Sequence, residues 1–153
     1  MLRIALAVVH LGGMAIGVGA IYSRARALNR VADGDTLRRG LIADTWWGIS
    51  FLLLLVTGLW RAFAGLEKSP SYYWNNQVFW TKMGLLAAIL TLEVWPMITL
   101  IRWRIAQGRG ALPSTDALGP TARRIARISD VQMLFLFAMI VAAVMMARGY
   151  GFR

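Results

Sequence analysis

Four long apolar runs dominate this chain and leave few folds open to it. They cover residues 4–22, 41–60, 78–101 and 128–147. Each is close to the roughly 20 mostly apolar residues that a helix needs to cross a bilayer core. In lipid the backbone must satisfy its own polar groups, so only helices and closed barrels span it. The runs are continuous rather than alternating, which selects helices. The expected fold is therefore all-α: an integral membrane four-helix bundle, one domain of 153 residues. Composition agrees. Hydrophobic residues make up 58% and charged ones 16%, against about half and a quarter in a soluble domain. The first run opens like a signal peptide, with Val18-Gly19-Ala20 in the style of a cleavage site. It continues past an ordinary signal core, so we read it as the first span.

The net charge of +10 suggests nucleic acid only until the charges are placed. Arg24, Arg26, Arg30, Arg38 and Arg39 fall between the first two runs. Arg102, Arg104, Arg109, Arg123, Arg124 and Arg127 fall between the last two. The other side holds only Arg3, Arg61, Lys68, Arg148 and Arg153. By the positive-inside rule the first and third connections are cytoplasmic and both termini periplasmic, in a bacterial inner membrane. The basic excess then reads as a topology signal that also meets anionic lipid headgroups, and nucleic acid is not an expected partner.

Aromatic residues mark the same boundaries. Trp60, Tyr72, Tyr73, Trp74 and Trp80 gather at the outer ends, and Trp46, Trp47 and Trp103 at the inner ones. Such rings favour the headgroup level. Asp33-Gly34 is a turn signal, with Asp35 or Thr36 available to cap an extension of the second span. Gly119-Pro120 reads as a helix start with the proline in its first turn.

An ionisable group inside a span costs at least about 2.5–3.5 kcal/mol, so such groups are the best pointers to function. His10, the only histidine, lies two turns into the first span. Gly13 and Gly17 follow on its face, a spacing that lets a second helix, or a flat ring, approach closely. His10 is thus either a helix-to-helix hydrogen-bonding group or a haem ligand. Lys82 enters the third span from the same side. It either snorkels to the headgroups or faces a carboxylate-bearing ligand beside His10. Glu93 follows Lys82 by three turns, roughly 16 Å deeper. Pro96, one turn on, leaves the Leu92 carbonyl without its usual helical donor. Glu93 reads as a proton or ion site, or as a core carboxyl meeting Arg102 or a base of the fourth span. Asp44 and Asp130 read as interfacial salt-bridge partners of Arg38, Arg39, Arg123 or Arg127.

Other chemistries are excluded or unsupported. The chain has no cysteine, which removes disulfides, thiolate ligands and thiol nucleophiles. One histidine is too few for a multi-histidine metal site, and no phosphate loop occurs. Catalytic residues stay unassigned.

Three stretches carry a family resemblance: His10-Leu11-Gly12-Gly13; Tyr73-Trp74-Asn75-Asn76-Gln77-Val78-Phe79-Trp80-Thr81-Lys82; and Pro96 followed by Ile101-Arg102-Trp103-Arg104. With them the chain resembles the bacterial inner-membrane proteins of domain of unknown function 2214, which implies a four-helix membrane fold and brings no established activity with it. It is more distantly similar to the haem-containing bacterial protoporphyrinogen oxidase family, which has a His in its first helix and a Lys early in its third. That similarity implies a porphyrin pocket at His10 and Lys82 with haem b as cofactor, although no second His is present here.

Three functions follow from these readings. The first is an accessory or stabilising subunit that partners other membrane subunits or itself. The second is a haem- or porphyrin-binding redox protein using His10, Lys82, Gly13 and Gly17. The third is a proton or ion conductor built on Glu93.

Overall fold

A computed structural model describes residues 1–64 and 70–151, apart from the side chain of Pro70. Lys68 and Arg153 of the outer charge count lie outside these residues. The chain is all-α: α1 (Leu2–Asn29), α2 (Gly34–Phe63), the short α3 (Pro70–Trp74), α4 (Gln77–Gly108) and α5 (Thr115–Ala147). The four long helices are each apolar and long enough to cross a membrane. Large apolar side chains such as Leu52, Val56, Val94, Leu134, Phe137 and Val141 point outward. A surface this apolar is stable only against lipid or protein.

Every long helix outruns its apolar segment, because a helix carries on into the headgroup and water layers once its first turn is capped. Asp33, rather than Asp35 or Thr36, caps α2. Its Oδ1 accepts from the Thr36 amide at 2.7 Å and the Thr36 hydroxyl at 2.6 Å. Asn76 caps α4 by accepting from the Phe79 amide at 3.1 Å. Helix α5 begins at Thr115, so Pro120 lies inside it and not in its first turn. The apolar run begins only at residue 128, and the basic stretch before it is already helical.

Helix α1 packs on α2 and on α5, and α5 packs on α4, while α3 lies across the end that carries both termini. The tightest crossing is at Gly40, where a Cβ would sit 2.7 Å from the Leu28 side chain. The core has three levels. Leu28, Leu37, Leu100 and Ile125 fill the end with the basic connections. Ile21, Trp47, Ile89 and Leu136 fill the middle. Ala62, Tyr73 and Phe79 close the end with the termini.

Candidate functional site

Two polar features lie inside the bundle, one below the other. The first centres on Arg24, which the basic-residue count assigns to the first connection. The structure corrects this: α1 continues to Asn29, and Arg24 is fully buried on it. Its five N–H groups are all used. Nε donates to Ser129 Oγ at 3.0 Å. Nη1 donates to Asp44 Oδ1 at 2.8 Å and Glu93 Oε1 at 2.7 Å. Nη2 donates to Glu93 Oε2 at 2.9 Å and Gln132 Oε1 at 2.8 Å. The planar fork grips Glu93 through two parallel bonds, the strong geometry for this pair. Arg24 lies on α1, Asp44 on α2, Glu93 on α4, and Ser129 and Gln132 on α5, so one guanidinium ties all four spanning helices.

The cluster is balanced. Arg104 reaches in from α4 to Asp44 Oδ2 at 2.8 Å and to the Leu41 carbonyl at 2.6 Å. Two arginines therefore face two carboxylates. Gln132 Nε2 donates to Glu93 Oε2 at 2.8 Å and to the Ile89 carbonyl at 3.2 Å. The Trp47 ring centre lies 6.0 Å from the Arg24 guanidinium carbon, at the edge of cation–π range. Among the described residues no buried side-chain polar atom lacks a partner.

These contacts revise three expectations. Glu93 faces the protein, but its partner is Arg24 rather than Arg102 or a base of the last span; Arg102 is exposed. Asp44 pairs with Arg24 and Arg104, not with Arg38, Arg39, Arg123 or Arg127. Asp130 is exposed on α5, and among the described residues no ion pair joins it to Arg123 or Arg127.

The second feature is a cavity of about 680 Å³ between the four helices, on the terminal side of the cluster. Small-molecule sites usually measure about 300–1,000 Å³. Its walls are mostly aliphatic and aromatic. His10, Arg61 and Lys82 also line it, with Tyr72 and Tyr73 of α3 at the terminal end. Ile89 and Leu136 form its floor, one turn from Glu93 and Gln132 respectively. The structure thus brings His10 and Lys82 to one space. Gly13 and Gly17 are elsewhere. Their faces meet Leu53 and Leu54, and Ser50 and Trp47, so they serve the α1–α2 crossing and do not line the cavity.

Thr57 orients the His10 ring. Its hydroxyl donates to the Leu53 carbonyl, so its oxygen is left to accept, and His10 Nδ1 donates to it at 2.7 Å. Gly58 makes room: a Cβ there would lie 3.3 Å from His10 Cε1. A hydrogen bond that fixes the orientation of the ring is a feature that metal-ligating histidines share.

The model of a family described as a predicted membrane protein (DUF2214) matches residues 2–151, nearly the whole chain. The chain belongs to that family. No curated protein and no solved structure matches it. This DUF2214 chain is thus a multi-pass helical membrane protein. Sequence reasoning missed Arg24, Arg104, Gln132, Ser129, Thr57, Gly58 and Arg61. For Arg24 a signal existed: Gly13, Gly17, Ala20 and Arg24 follow one another at steps of four, three and four, which is one helix face. Thr57 and Gly58 carry no such mark, since both read as ordinary residues of an apolar span.

Proposed function

We propose that this protein binds a flat apolar ligand bearing carboxylates, a porphyrin with haem b as the first candidate, in the cavity between its four helices. The observation that carries the reading is His10, which lines that cavity with Nδ1 committed to Thr57. The His10 imidazole would hold the iron. Lys82 and Arg61 line the same cavity near the membrane surface, where cations suit carboxylates that remain partly hydrated. The apolar walls would exclude water, and the group would supply one-electron chemistry when bound. The basic connections favour an orientation with both termini periplasmic in a bacterial inner membrane.

The experiment is an absorption spectrum of protein purified from haem-replete cells. We expect a Soret band that His10→Ala abolishes. Lys82→Ala and Arg61→Ala should keep the band and weaken affinity. A wild-type protein with no band, and no response to added haem, overturns the reading.

An accessory or stabilising subunit is the second reading, and the outer aromatic collar favours it. Phe63, Trp74 and Trp80 make tilted ring contacts in sequence, with ring centres 6.4 and 5.3 Å apart, and each ring is about half exposed. A stoichiometric partner that leaves on Trp74→Ala and Trp80→Ala, from protein without a Soret band, would carry that reading instead. The Glu93 conductor is the least supported. Both Glu93 oxygens accept from Arg24, and one also from Gln132, which suits a fixed counter-ion better than a moving one.

A further inference from the structure

A second recess lies outside the bundle, on the seam between α1 and α2, with a volume of about 350 Å³. Helix α1 lines it from Ile16 to Ser23 and α2 lines it from Arg39 to Trp46. Each helix contributes positions i, i+3, i+4 and i+7, so both edges of the groove are single helix faces. The helices are antiparallel, which sets Ser23 beside Arg39 and Ile16 beside Trp46. Seven residues of helix make the groove roughly 10 Å long. Its polar end lies toward the first basic connection and its apolar end lies deeper in the spans.

We infer that this groove is a binding site for an anionic phospholipid, with the phosphate at Arg39 and Ser23 and an acyl chain along Gly19, Ala20 and Ala43. The gradient of polarity is that of the lipid itself, and it points the right way in the membrane. Arg39 is exposed; its charge acts on the nearby Asp33 carboxylate, but among the described residues it makes no ion pair. Gly19 is open: a Cβ there would meet nothing within 4 Å. The missing side chain leaves a slot that protein atoms do not fill. Trp46, half exposed, closes the deep end with a flat apolar ring. The adjacent Arg38 lies outside the groove, so general attraction to an anionic surface can be separated from this site.

The test is native mass spectrometry of the detergent-solubilised full chain, titrated with dioleoyl phosphatidylglycerol or dioleoyl phosphatidylcholine. Wild type should retain the anionic lipid in preference. Arg39→Gln should weaken retention about fivefold, the contribution of one basic group at an anionic surface. Arg38→Gln should behave as wild type. Gly19→Leu places a side chain in this space, its Cβ meeting no protein atom within 4 Å, and should lose the lipid while keeping its helical circular dichroism. Excess inorganic phosphate should leave the complex intact. Equal retention of both lipids, equal losses at Arg38 and Arg39, full retention by Gly19→Leu, or displacement by phosphate would each overturn the assignment.

Discussion

Arg24 is the residue on which the interior depends. Removing a buried guanidinium leaves its carboxylates without their main partner, which costs about 3–5 kcal/mol. Arg24→Gln should therefore lower the melting temperature in detergent sharply. Adding Glu93→Gln to it should recover part of the loss, because the exposed demand falls from two carboxylates to one, and Arg104 still holds Asp44. If the double variant melts below Arg24→Gln, the cluster is not a matched charge system. Gly58 gives a finer test. Gly58→Val places a side chain against His10 Cε1. It should displace the ring from Thr57 while leaving the Arg24 cluster, which lies below the cavity floor, untouched. Stability should fall modestly, and any His10-dependent spectrum should shift rather than vanish.

At the level of the elements, the caps set where helices start and how the terminal end is held. Asn76 is buried and works in two directions. Its carbonyl oxygen accepts from the Phe79 amide, while its amide donates to the Tyr150 carbonyl at 3.1 Å. The Gln77 amide adds a bond to the Gly151 carbonyl at 2.9 Å. Asn76→Asp keeps the cap and loses the donor, whereas Asn76→Ala loses both, with about 1 kcal/mol from the cap alone. Hydrogen exchange near Tyr150 should rise in both variants, but at Phe79 only in the alanine variant. The Asp33 cap brings a pH dependence. Hydrogen bonds from the Thr36 hydroxyl and then its amide hold the Asp33 carboxyl below its ordinary value of 3.8. A depressed folded value means that the cap's contribution is complete above the unfolded value and fades as pH falls through the folded one. The stability gap between wild type and Asp33→Ala should be constant near neutral pH and close in acid. These elements show what a sequence discloses. The spans were legible because length and apolarity alone decide them. The helix ends were not, since a helix that leaves the bilayer looks like a loop once its apolar run stops. That is why Arg24 was counted in a connection, and why the start of α5 was placed at Pro120 rather than at Thr115.

On the scale of the whole molecule, charge is arranged in two ways, and they must be kept apart. Arg24 and Arg104 belong to the interior cluster, so they no longer count among the residues that hold the basic connections on one side. Nine other arginines of those two connections remain, against the five basic residues that the sequence assigns to the other side. The asymmetry survives the correction, and with it the expected orientation. The cavity could not be read in this way, because empty volume belongs to the packing of all four helices and not to any run of residues. It lies where α2 and α4 face each other between the cluster and α3, a region bordered by Gly58, Ala62, Ala143 and Ala147. Orientation decides which side of the membrane supplies that space, since His10, Arg61 and Lys82 all lie toward the termini. The absence of cysteine from the chain allows a direct test. Ser71→Cys marks the end with α3, and Ser114→Cys, at an exposed cap whose hydroxyl makes no capping bond, marks the opposite connection. In intact bacterial cells a membrane-impermeant maleimide should label the cysteine at position 71 and reach the one at position 114 only after the inner membrane is opened. Labelling at position 114 alone would invert the topology and put His10, Arg61 and Lys82 on the cytoplasmic side of the cluster. Labelling of both in intact cells would mean that the helices between them do not cross an odd number of times.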